Sequence, residues 1–206
     1  MRAWNFRGGC VALGLLAAGP AGVGAAEEKL VVHAENGALR IEFAASRLAL
    51  SVPKRGFIED PGRREGAAAS PRYFALREAI GPRTTVVSGW FEGRARFTSV
   101  KKLWAAELKA AKTPAAEAPR RVTFAKIAGW ETVAYERPAP STGAGAAANP
   151  KTAPASTHLR AHWLQGDTWI ELHLSMTGPV PAEEARAALV ALLKSVAVSE
   201  IAAEKK

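Results

Sequence analysis

Three of the four histidines in the chain, His158, His162 and His173, fall within residues 158–175, together with Arg160, Trp169 and Glu171. No other stretch gathers so many groups able to hold a metal or move a proton. Two imidazoles and a carboxylate from His162, His173 and Glu171 would suit a Zn²⁺ ion. The same set would allow acid–base work, with His162 as base and Glu171 orienting it. Acyl transfer would also need a nucleophile. Ser175 lies far along the stretch, and Ser88, in Val87-Ser-Gly-Trp-Phe91, sits outside any nucleophile-elbow pattern. The plain alternative is a ladder of cross-strand pairs, with Glu171 accepting a hydrogen bond from His162 and Arg160 stacking on a neighbour. That ladder, without metal or other cofactor, is the favoured expectation.

These residues share a face only if the stretch is a β-hairpin. Gly166-Asp167 supplies the two-residue loop, setting Gln165 opposite Thr168. Alternation then places Leu159, Ala161, Trp163, Ile170, Leu172 and Leu174 on one apolar face. The other face carries His158, Arg160, His162, Glu171, His173 and Ser175, with Leu164 and Trp169 near the turn. In this register His162 opposes Glu171, and His173 is diagonal to His162 at about 7 Å along the backbone. His158 is about 13 Å along the strand from His162, which keeps it out of that cluster. Trp90, Phe91, Trp130 and Trp169 fall near strand starts, where they would serve a ligand or, as the favoured expectation, the core.

Further hairpins and two helices account for the rest. Segments 30–34 and 39–43 flank Asn36-Gly37, a pair that tolerates positive φ at both turn positions. Leu48, Leu50 and Val52 alternate before Pro53. Strands at 73–78 and 84–91 are separated by Gly81-Pro82, and strands at 122–127 and 130–136 by Ala128-Gly129. Val100, Leu103, Trp104 and Leu108 show helical spacing after Thr98 or Ser99 as N-cap. Ala185, Leu189, Leu192 and Val196 form the stripe of a second helix after Pro181. Residues 54–71 and 138–156 are expected as flexible loops, from their proline, glycine and small-residue content. The fold class is therefore α+β, with an antiparallel sheet of about seven to nine strands built from hairpins and two main helices packed on it.

The ends and the charge narrow the setting. Arg2 and Arg7, an apolar run over 10–18 and small residues up to Ala26 have the layout of a secretory signal peptide. The run is far shorter than the ~20 residues of a membrane-spanning helix. The expected product is residues 27–206, one α+β domain, periplasmic or secreted. Cleavage near Ala26 removes Cys10, the only cysteine, and with it disulfides and thiolate chemistry. The net charge is +9, of which Arg2 and Arg7 supply two, leaving +7. Such a charge would suit an anionic lipid or polysaccharide surface or an acidic partner, although a merely solvated basic surface is the favoured expectation, and no nucleic-acid recognition motif is present. Asp60 and Asp167 are the only aspartates, and both adjoin turn formers, which argues against aspartic dyads and most phosphoryl-transfer sites.

A signal peptide, early hairpins, a strand closed by Pro53, the Val87-Ser-Gly-Trp-Phe-Glu92 strand, a helix, more hairpins and a closing helix make a recognisable order. That order resembles small exported bacterial proteins similar to PsbP-like α/β/α sandwiches. The resemblance covers about residues 39–200 and rests on element order, so no site residues carry over. Members of that group mostly bind partners. The resemblance thus implies a non-catalytic binding or accessory protein of the cell envelope, contacting a protein or an anionic envelope component. Its expected face is Arg160, His162, Trp169, Glu171 and His173. The competing expectation is a metal-dependent or acid–base enzyme using His162, Glu171 and His173. A third is a stability or assembly role without any pocket.

Overall fold

The computed structural model describes residues 30–60, 70–111, 117–138 and 156–202. The expected signal peptide, residues 61–69 of the first expected loop and residues 139–155 of the second lie outside the described residues.

Turn chemistry fixes the first sheet. β1 (Leu30–Glu35) and β2 (Ala38–Phe43) meet at Asn36-Gly37, with φ of +47° and +77°. The resulting register sets Leu30 opposite Phe43 and Val32 opposite Ile41, so the apolar residues share one side. β3 (Leu48–Pro53) pairs with β2. Then come β4 (Ile58–Glu59), β5 (Tyr73–Ile80), β6 (Arg83–Gly93) and α1 (Val100–Ala111). The chain continues through β7 (Arg120–Ile127), β8 (Trp130–Arg137), β9 (Ser156–Gln165) and β10 (Thr168–Thr177) to α2 (Ala182–Lys194) and β11 (Ala197–Glu200). The strand pairs are antiparallel throughout. They form a four-stranded sheet, β1-β2-β3-β11, and a seven-stranded sheet, β4-β5-β6-β10-β9-β8-β7.

The α+β class and the hairpin registers agree with the sequence, but three features do not. Pairing does not stay between chain neighbours: α1 carries the chain from β6, mid-sheet, to the far edge at β7, and the next three strands return until β10 reaches β6. β11 was not anticipated, and it closes the first sheet against β3. The segment after Pro53 is not wholly irregular, because Phe57 is buried in the core and β4 pairs with β5.

One face of the large sheet carries most of the core. Leu159, Ala161, Ile170, Leu172 and Leu174 join Leu189, Leu192 and Leu193 of α2 and Ile41, Phe43 and Leu50 of the small sheet in one continuous cluster. A fully buried aliphatic side chain contributes about 1.5–3 kcal/mol, so this face dominates stability. Glu183 and Glu184 in the first turn of α2, and Lys194 in its last, complement the helix dipole. The opposite face is covered more thinly. Ser99 caps α1, its Oγ accepting from the Lys102 N–H at 3.3 Å. Val100 and Trp104 bury against Val133 and Tyr135. Leu108, expected in that stripe, stays 39% exposed.

Gly89 marks the seam where β6 meets β10. A Cβ there would lie 2.5 Å from the Glu171 carbonyl oxygen and 2.9 Å from both Leu172 and Phe74 side-chain carbons. Backbone and core would both have to move. Gly89→Ala should therefore lower unfolding free energy by about 1–3 kcal/mol in urea titrations. An unchanged midpoint would mean that the seam is looser than this packing implies.

Candidate functional site

The hairpin of β9 and β10 forms in the expected register, Gln165 opposite Thr168 through His158 opposite Ser175. Its side-chain partners, however, are not the directly opposed residues. His158 Nδ1 lies 2.9 Å from His173 Nε2. Arg160 donates from Nη2 to Glu171 Oε1. Trp169 Nε1–H donates to His162 Nδ1 at 3.1 Å. Each pair follows the same diagonal, with the β9 partner displaced two residues from the opposed position. Right-handed twist shortens one cross-strand diagonal and lengthens the other, and the short diagonal takes all three contacts. The long diagonal is the one that would have joined His162 to His173.

The expected Glu171–His162 hydrogen bond and Arg160 stack are therefore replaced. Arg160 bridges two carboxylates, Glu171 on β10 and Glu107 on α1, the second through Nη1. The Arg160 and Glu171 side chains are only 14% and 12% exposed. Burial works against the guanidinium charge, but the fields of Glu171 and Glu107 outweigh it and hold the Arg160 pKa above its ordinary value. Arg160 Nε is buried without a hydrogen-bond partner, so the fork acts through its two terminal nitrogens.

His162 is 3% exposed. An indole N–H only donates, so Nδ1 must be the unprotonated nitrogen and Nε2 carries the proton of the neutral ring. Burial, followed by the positive field of Arg160, pushes its pKa down to about 4. The Phe97 ring covers this end, 6.1 Å from the His162 centroid and 5.6 Å from that of Trp169. At the other end Tyr135 stacks on His158 at 4.8 Å with 7° between the planes, and Trp104 packs on Tyr135 at 4.6 Å. Burial raises the Tyr135 hydroxyl pKa, against the fields of Arg160 and Arg137.

The five residues expected as a binding face are thus brought together on one sheet face but lie largely beneath α1, Phe97 and Tyr135. The Zn²⁺ set does not converge. His162 gives Nδ1 to Trp169, Glu171 is held by Arg160, and His173 faces His158. Among the described residues no group of three or more His, Cys, Asp or Glu could hold a metal ion. Four contributors were missed in the sequence: Glu107, Phe97, Tyr135 and Ser156. Only Glu107 left a signal, as the one acid of α1, on the helical stripe of Val100 and Trp104. Ser156 Oγ lies 2.7 Å from His158 Nε2, which extends the His158–His173 contact into a three-residue chain.

Two outcomes follow from this network. Arg160→Met leaves Glu171 buried beside no cation and should cost about 3–5 kcal/mol in chemical denaturation. Adding Glu171→Gln and Glu107→Gln to that variant should restore much of the loss; no recovery would deny the bridge. His162 has a folded pKa below the ordinary 6.5, so the unfolded chain binds more protons between pH 6.5 and about 4. Its contribution is complete above pH 6.5 and lost as pH falls through that window, by about 3 kcal/mol. The stability–pH curve of His162→Asn should lack this component, whereas parallel curves for variant and parent would refute it.

No protein-family model matches the chain. No curated protein matches it either. Among solved structures, the Ran-binding protein Mog1p of Saccharomyces cerevisiae is similar at 14% identity, with a TM-score of 0.45, over 80% of this chain and 95% of that one.

Proposed function

We propose that this is an exported, non-catalytic binding or accessory protein of the cell envelope that works by contact with a protein partner. The observation that carries the reading is the internal use of its candidate chemistry. Arg160, His162 and Glu171 are each committed to a neighbour inside the fold, with Glu107 of α1 on Arg160 and Phe97 over His162. Such a buried, paired network orients elements and offers no group for a substrate. The basic charge of the chain and the resemblance to PsbP-like sandwiches, whose members mostly bind partners, agree with this. No helix among the described residues is long and apolar enough to cross a membrane.

The acid–base reading survives in altered form through the Ser156–His158–His173 chain. With Nδ1 of His158 protonated, Ser156 O–H donates to Nε2 and Nδ1–H donates to His173, an order that would activate a serine. Ser156 and His158 also pair with Arg137 and Tyr135 of β8 in the sheet ladder, and the chain is assigned to that strand pairing. Treatment with a fluorophosphonate probe should leave Ser156 unlabelled, and covalent labelling that His158→Ala abolishes would reinstate the enzyme.

Fractionation with intact-mass measurement tests export. The species expected in the envelope fraction begins at Glu27, and an intact 206-residue chain in the cytosol would sink the localisation. In-cell cross-linking with a short amine-reactive reagent should return the same envelope protein repeatedly. Recovery of monomer alone would refute the binding role.

A further inference from the structure

We infer that the free edge of β7 receives an extended, acidic segment of a protein partner, which adds a strand to the seven-stranded sheet. The inference rests on the binding role proposed above and names its surface. β7 is the terminal strand of the sheet, and its residues are mostly exposed along their length. The two-residue turn at Ala128-Gly129 makes Ile127 and Trp130 a hydrogen-bonded pair, with φ of +48° and +90° at the turn. Alternation along the strand therefore sends the backbone N–H and C=O of Phe124 and Lys126 outward, away from β8. Among the described residues no strand pairs with that side. Such a row of donors and acceptors is the template that an incoming strand completes.

The side chains beside it narrow the occupant. Phe124, 39% exposed, forms one wall of a groove of about 420 Å³ between β7 and the start of α1. Lys101 on α1 holds its ammonium 5.7 Å from the Phe124 ring centroid, and Lys126 lines the same groove. Arg120 and Arg121 are exposed at the start of the strand, where the register shifts and Arg186 donates to the Arg121 carbonyl. Glu131 is the single acid on the groove wall. A second copy of this chain would bring its own basic strand against these cations, so like charge discourages self-pairing. An acidic strand meets attraction at both ends, and an apolar side chain alternating with its carboxylates would enter the groove beside Phe124. The irregularity between Arg120 and Thr123 limits pairing to the stretch from Thr123 to Ile127, short enough for a reversible contact.

The test is an amide NMR titration of the protein, in the form its host accumulates, with a capped heptapeptide alternating glutamate and valine. The expected result is a set of shifts confined to β7 and the first turns of α1, with slowed hydrogen exchange at the Phe124 and Lys126 amides. Raising the salt should weaken binding. Lys101→Glu combined with Lys126→Glu should weaken it roughly tenfold, with the fold intact because both side chains are exposed. A peptide with lysine in place of glutamate should not bind. Shifts elsewhere, equal binding of the lysine peptide, no binding, or concentration-dependent shifts at β7 without peptide would each overturn the inference. If the cross-linked envelope partner is still captured in that event, the binding role stands and only its surface is reassigned.

Discussion

A buried cation decides how the two faces of this protein are assembled. Arg160 sits in the middle of β9 with its side chain only 14% exposed, and an unpaired charge there would cost several kcal/mol. It is answered by carboxylates from two other elements, Glu171 on β10 and Glu107 on α1. The net stabilisation of such a bridge is small, since Coulomb attraction roughly offsets desolvation. Its effect is on orientation. The apolar contact of α1 is modest, mainly Val100 and Trp104, and would tolerate some rotation or sliding. Displacing Glu107 from Arg160 would leave the guanidinium with Glu171 alone, so the polar clamp favours one docking of the helix.

The same geometry explains why the chemistry suggested by residue types does not assemble. Zinc binding would need His162, Glu171 and His173 to converge, which requires the long cross-strand diagonal. Twist instead pairs each polar residue of β10 with the residue two places earlier on β9 than its opposed partner. Once Arg160 has taken Glu171, His162 is left beside a positive charge in an apolar pocket, and remaining neutral with Trp169 as donor resolves both constraints. Ser156, His158 and His173 then close the far end of the same row.

Local rules were sufficient for much of the fold. Asn36-Gly37, Ala128-Gly129 and Gly166-Asp167 each specified a turn, and each turn fixed a register that side-chain alternation confirmed. What stayed hidden depends on pairing between distant segments. β6 meets β10 because Gly89 permits a close backbone approach, and one glycine among many in a sequence does not declare which neighbour it accommodates. β11 is only four residues long and follows a helix without a strong break, so alternation had too few positions to register. At the candidate site, membership of the polar face was legible while its partners were not, since the sequence carries strand period but not the sense in which twist skews a ladder.

The covered network and the open edge are consequences of one placement. α1 reaches β9 through Glu107 and Arg160, and β8 through Trp104 and Tyr135. It also meets the outermost strand, where Lys101 of its first turn lies over Phe124. A helix shifted outward would break the Glu107 contact and leave the guanidinium with Glu171 alone; one shifted inward would lose Lys101 from the rim. The position that pairs Arg160 therefore leaves the outer edge of β7 without a strand partner among the described residues and sets a cation beside it. Edge protection by basic side chains is selective, because it repels a strand of like charge and draws in one of opposite charge. The contacts that fix α1 over Arg160 thus also fix which strand edge is left without a strand partner among the described residues.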